Sequence, residues 1–138
     1  MSKQNQNWKP QEEIFLDKVK EDFGTDNYEA ILTMRTNENK FIDSTKKLVG
    51  IYKNDISTSQ LRNIFSRIKR IENYNELYSL RPKLAYVYGR AEKKDGMKKL
   101  IVLLDDQIQK VDSKEKLKQF KSFFESIIAY HKFFGGKD

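Results

Sequence analysis

The sequence predicts an all-α protein, a compact bundle of five to six helices. Three observations carry that prediction. Apolar residues recur at three- and four-residue spacing along most of the chain. Runs with the alternation of a half-buried strand are nearly absent. Only six glycines and two prolines interrupt 138 residues. A length of this order suits one helical domain over residues 1–138, able to bury roughly two-thirds of its unfolded surface without covalent staples.

The elements follow from the N-terminus. Residues 11–23 read as a short helix through Ile14, Phe15, Val19 and Phe23, stopped at Gly24. A further turn or two is expected from Tyr28 to about Arg35, followed by a polar break at Thr36-Asn37-Glu38-Asn39. Phe41, Leu48, Ile51 and Tyr52 place a helix over about 40–53. Ser57-Thr58-Ser59-Gln60 is a capping box that opens a helix carrying Leu61, Ile64, Phe65, Ile68 and Ile71 on one face. Leu77, Leu80, Leu84, Val87 or Tyr88, and Ala91 keep one helical period across Pro82. That continuity predicts a proline-kinked helix; the alternative is two helices meeting at Arg81-Pro82. Asp95-Gly96 supplies a turn. Met97, Leu100, Ile101, Leu104, Ile108 and Val111 then fall in register on a further helix. Asp112 to Glu115 is a second cap signature. The last helix runs through Leu117, Phe120, Phe124, Ile127, His131 and Phe134 to a C-cap at Gly135-Gly136.

The formal charge is +7, and it is concentrated. Residues 57–99 hold Arg62, Arg67, Lys69, Arg70, Arg81, Lys83, Arg90, Lys93, Lys94, Lys98 and Lys99 against Glu72, Glu76, Glu92 and Asp95. The rest of the chain is neutral. Five of the six arginines fall in this stretch, and the planar guanidinium fork suits phosphate oxygens better than an ammonium does. Segregated charge of this kind points to nucleic-acid backbone binding ahead of ordinary surface solvation.

Composition excludes several chemistries. With no cysteine and one histidine, there are no disulfides, thiolate nucleophiles, cysteine zinc sites or paired-histidine metal motifs. No cofactor motif is present. Met1 to Pro10 is polar, so no secretory signal is expected, and the longest aliphatic run, Leu100–Leu104, is too short for a bilayer. A soluble cytoplasmic chain without membrane association is the expectation.

Helical phasing puts Arg62 and Lys69 on one flank of the 57–71 helix, Arg70 opposite the core and Arg67 on the other flank. On the following helix Lys83, Tyr86 and Arg90 form a second exposed row. Two such rows suit a groove that tracks a phosphate backbone; the plainer alternative is two solvated faces. Among Tyr74, Tyr78, Tyr86 and Tyr88, Tyr86 is the best placed to stack on a base, while Tyr78 and Tyr88 suit packing. His131 lies on an apolar stripe with no acid or nucleophile at suitable spacing, so a core or interface role is expected over catalysis. Asp105 and Asp106 diverge by about 100° on a helix and do not chelate as a pair. No enzyme is expected.

Three segments then resemble one family. Ile56-Ser57-Thr58-Ser59-Gln60-Leu61-Arg62-Asn63, Leu80-Arg81 through Tyr86-Val87-Tyr88-Gly89-Arg90, and Phe120 through Ile127-Ile128-Ala129-Tyr130-His131-Lys132-Phe133-Phe134-Gly135-Gly136 are similar, in that order, to the small helical subunit of type III-A CRISPR (Csm) effector complexes. The resemblance covers about residues 56–138. It implies a non-catalytic subunit of an antiviral ribonucleoprotein, with copies stacked along an inner filament that holds a guide RNA–target RNA duplex while other subunits cut. By motif position it implies RNA contacts at Arg62, Arg81 and Arg90. Many members carry lysine where this chain has Gln60. Copies in an open stack must meet head-to-tail. The RNA-binding set expected is Arg62, Arg67, Lys69, Arg70, Arg81, Lys83 and Arg90. The alternatives are a helix-turn-helix DNA-binding regulator, with Ser59–Ile71 as recognition helix, and a helical protein-interaction adaptor.

Overall fold

The computed structural model describes residues 9–33 and 38–136. Met1 to Trp8 lie outside the described residues, as do Met34 to Asn37, which hold the end of the turn expected to about Arg35 and the first half of the polar break. Seven α-helices and one 3₁₀ helix form, with no strand among the described residues: α1 (Gln11–Phe23), α2 (Thr25–Glu29), α3 (Asn39–Tyr52), α4 (Thr58–Arg70), the 3₁₀ helix (Tyr74–Leu80), α5 (Arg81–Arg90), α6 (Asp95–Gln109) and α7 (Lys114–Phe133).

The helix count exceeds five to six because of two local events. Gly24 takes a φ of 101°, stops α1 and lets α2 start immediately at Thr25, earlier than the turn expected from Tyr28. At the second, the apolar period across Pro82 is real, with Leu77, Leu80, Leu84, Val87 and Ala91 all buried. The backbone nevertheless changes from 3₁₀ to α at Arg81, with proline in the first turn of α5. Proline lacks an N–H and has a helical φ, so it opens a helix more readily than it sits inside one. Two helices therefore meet at Arg81-Pro82. Asp95-Gly96 also differs from expectation, since the turn falls at Ala91–Lys94 and Asp95 begins α6. The second cap is Ser113, whose Oγ accepts the Lys116 N–H at 3.1 Å, one residue beyond Asp112.

α6 is the central rod. Leu100, Ile101, Val102, Leu103, Leu104 and Ile108 are all buried, because α1, α5, α3 and the 3₁₀ helix pack around it. α7 carries the second half of the core and packs on α3 and α4. Phe123 of α7 makes edge-on contacts with Phe23 of α1 and Phe41 of α3, at centroid distances of 6.0 and 5.7 Å. Such pairs add about 0.5–1.5 kcal/mol beyond area burial. Phe124 stacks on Phe65 of α4 at 5.3 Å. Ile14 and Ile51, expected inside, are each 51% exposed on the outer faces of α1 and α3.

A polar joint fixes how α3, α4, α6 and α7 meet. His131 of α7 is buried, with Nε2 3.3 Å from the Lys53 carbonyl and Nδ1 2.8 Å from the Thr58 hydroxyl. The carbonyl only accepts, so Nε2 carries the proton and Nδ1 accepts from Thr58. The Asp55 carboxylate accepts the Gly96 N–H at 2.8 Å and caps α6 from another segment. A Cβ at Gly96 would stand 2.9 Å from that carboxylate oxygen, so the approach requires glycine. α7 ends as expected: the Gly135 N–H donates to Lys132 and the Gly136 N–H to His131, with Gly135 at a φ of 92°.

Two predictions follow from these buried polar groups. His131→Leu leaves Thr58 and Lys53 without their partner, and equilibrium unfolding should show a loss of about 1–3 kcal/mol per orphaned group; a loss below a few tenths would contradict the joint. Burial, then the hydrogen bond to Asp106, pushes the Tyr28 phenol above its ordinary 10.0, and burial with Asp22 does the same to Tyr52. The unfolded chain therefore releases these protons first, so their contribution is intact below about pH 10 and falls above it. The denaturant midpoint should drop less above pH 10 in a Tyr28→Phe/Tyr52→Phe double variant than in the parent, and equal drops would refute this.

Candidate nucleic-acid interface

α4 begins where its sequence says. The Ser57 Oγ accepts the Gln60 N–H at 3.4 Å, and Leu61, Ile64 and Ile68 enter the core. Core attachment on that face turns Arg62, Arg67, Lys69 and Arg70 outward, and all four are exposed. The Lys69 ammonium lies 5.7 Å from the Phe65 ring centroid. On α5, burial of Leu84 and Val87 turns Tyr86 and Arg90 outward. The Arg90 guanidinium lies 5.7 Å from the Tyr86 centroid and donates to the Tyr86 hydroxyl at 3.2 Å. Lys83 is half-buried.

The two helices pack on different neighbours, α4 on α7 and α5 on α6, and converge where α4 starts and α5 ends. Glu92 takes a φ of 50°, and the Lys94 N–H donates to the Ala91 carbonyl at 2.9 Å. This turn carries Lys93 and Lys94 round beside Arg90. A cleft of about 440 Å³ results, lined by Ser57, Ser59 and Gln60 on one side and by Arg90, Lys93 and Lys94 on the other, with Asp55, Glu92 and Met97. The cleft therefore carries three cations against two carboxylates, Glu92 and Asp55, of which Asp55 also accepts the Gly96 N–H. The arrangement attracts polyanions; it presents no nucleophile with an adjacent base.

The expected set does not form one site. Arg62 and Arg90 belong to the end where the cleft lies. Arg67, Lys69 and Arg70 lie roughly 7–12 Å further along α4, at about 1.5 Å per residue. Arg81 is engaged: its Nε and Nη2 donate to the two Asp105 oxygens at 2.8 and 3.2 Å, and that hydrogen bonding raises its already high pKa. Asp106 instead accepts from the Tyr28 hydroxyl at 2.6 Å and pairs with Lys110 at 3.2 Å. The two aspartates thus face different partners, and no group of three or more His, Cys, Asp or Glu side chains among the described residues could hold a metal ion. Tyr78 donates to the Val111 carbonyl and Tyr88 to Gln11, both in packing roles.

Sequence reasoning did not single out Lys93 and Lys94 for the cleft, although it counted them in the basic stretch. It also missed Lys114, Lys118 and Lys121, which line a larger cleft of about 1100 Å³ beside the C-terminal end of α4, with Glu72 and Glu115 opposing them. Their spacing of four and three was legible as a helical row, but they lie outside residues 57–99, in the part of the chain whose charge sums to zero. The Lys121 ammonium donates to the Lys69 carbonyl at 3.3 Å and also to that of Ile71, closing the end of α4.

The chain matches the family described as Csm2 Type III-A over residues 35–137. It is also 27% identical over 124 residues to the CRISPR system Cms protein Csm2 of Streptococcus thermophilus, an alignment covering 78% of this chain and 100% of that protein. No solved structure matches it.

A double-mutant cycle tests the role of the Arg81–Asp105 pair. With Arg81→Ala and Asp105→Ala, unfolding experiments should give a coupling of about 0.2–1 kcal/mol that shrinks in molar salt. Zero coupling would show that the pair does not brace α5 against α6.

Proposed function

Because the chain belongs to the Csm2 type III-A family and is thereby a small subunit of a type III-A CRISPR complex, we propose that it holds RNA by sequence-independent backbone contacts. It serves the complex in antiviral defence without cutting RNA itself. The observation that carries this reading is the positive cleft formed where α4 starts and α5 ends, which brings Arg90, Lys93 and Lys94 of the 57–99 stretch together. Base pairing between guide and target reads sequence, and a subunit of this kind needs only to recognise backbone and shape.

Arg62 and Arg90 are the contacts best supported by position. Arg81 reaches a phosphate only by exchanging Asp105 for it. Arg67, Lys69, Arg70 and Lys83 extend the positive field along the two helices. The protein partners are other subunits of the complex and further copies stacked head-to-tail, for which exposed Ile14, Ile51 and Phe133 provide apolar contact area. One copy alone binds RNA weakly, with Kd on the order of 10⁻⁴–10⁻⁶ M, and stacking multiplies that affinity through avidity. A cytoplasmic location fits this role, and no helix among the described residues is long and apolar enough to cross a membrane.

The helix-turn-helix alternative has less support. α3 does precede α4, five residues away, but both helices make their main contacts with α7. The motif instead needs a packed pair joined by a tight turn.

Salt titrations of RNA binding test the proposal. Arg62→Ala and Arg90→Ala should each weaken binding about equally for unrelated sequences and lower the log–log salt slope by roughly 0.7–0.9. A change in sequence preference would refute backbone-only contact.

A further inference from the structure

Tyr86 is more exposed than the other tyrosines among the described residues. Tyr28, Tyr52, Tyr78 and Tyr88 each donate a hydroxyl to a defined acceptor and have their rings buried or half-buried. Tyr86 is 60% exposed, and its hydroxyl accepts from Arg90. Buried Leu84 and Val87 on either side hold its backbone in place, so the ring is presented from a fixed helix rather than a loop. Arg90, its neighbour one turn on, also lines the positive cleft. Arg90 therefore joins an exposed aromatic ring to the cations that line the cleft.

We propose that Tyr86, Arg90 and the adjoining cleft seat one unpaired RNA nucleotide. Its base stacks on the exposed Tyr86 ring, and its phosphate faces Arg90, Lys93 and Lys94. The inference rests on the RNA-holding reading above and narrows it, because a base inside a duplex has both faces covered by its neighbours and offers none to a protein ring. Only an unpaired or extruded base fits. Each of the four bases has a π-face, so the seat discriminates paired from unpaired nucleotides without reading sequence. The guanidinium of Arg90 serves both halves of the seat, lying 5.7 Å from the Tyr86 ring centroid and lining the cleft where a phosphate enters.

Fluorescence anisotropy with the 138-residue chain tests the seat, using three labelled RNAs of equal length: a mixed-sequence single strand, a blunt duplex, and an abasic ribose-phosphate strand. Tyr86→Ala should weaken single-strand binding by about five- to a hundred-fold while leaving the duplex and abasic strand within about two-fold of the parent. Tyr86→Phe should restore the parent behaviour, and Arg90→Ala should weaken all three RNAs. The seat is refuted if Tyr86→Ala weakens all three alike or changes none. If the parent binds none of the RNAs, the RNA-holding reading fails together with the seat. Loss confined to the single strand upholds both.

Discussion

His131 accepts the Thr58 hydroxyl at one ring nitrogen and donates to the Lys53 carbonyl at the other, and this buried bridge decides where α4 begins. Thr58 is the first residue of that helix, and Lys53 lies just past the end of α3. Between them, Asp55 turns to cap α6 and Ser57 caps α4. Four helices thus meet through one short segment whose polar groups are paired, the Thr58–His131 contact inside the core and the others part-buried. Interior polar groups are costly when unpaired, so the joint tolerates few rearrangements. The entry angle of α4, and hence the position of its basic face, follows from it.

The same joint explains how a diffuse excess of charge becomes a surface. Anchoring α4 at Thr58 sets Ser59 and Gln60 opposite the turn at Glu92, which carries Lys93 and Lys94 beside Arg90. Asp55, at the edge of the cleft, caps the start of α6. Charge of both signs is therefore sorted by structural duty. Asp55, Asp105 and Asp106 serve amides, arginine and tyrosine within the fold, while Arg90 and its neighbouring lysines remain presented to a partner.

Much of the fold was legible in the sequence because helix faces obey one period. Leu61, Ile64 and Ile68, the Leu100–Ile108 series, and Phe120 and Phe124 of the last helix all went inside as their spacing required. Ser57 and Gly135 marked ends through local backbone chemistry that involves few distant residues. The misses share a different cause. The break at Pro82 left the apolar period untouched, so periodicity could not report it. Asp55 capping Gly96 joins residues 41 apart, and nothing in a local pattern announces such a partner. Ile14 and Ile51 matched the core period yet lie outside, because burial also depends on which neighbour arrives. For the site, the basic segment was readable as a charge count. Its division into an Arg90 cleft, an engaged Arg81 and a separate α4 end needed the tertiary path.

The central claim is that RNA passes the end of the bundle where α4 starts and α5 ends. Ultraviolet crosslinking of the assembled complex purified from cells, followed by mass spectrometry of this subunit's RNA-linked peptides, tests it most directly. The account predicts crosslinks concentrated in the peptides spanning 57–62 and 86–94. Crosslinks confined to α1 or α6, with those two peptides unmodified, would contradict it.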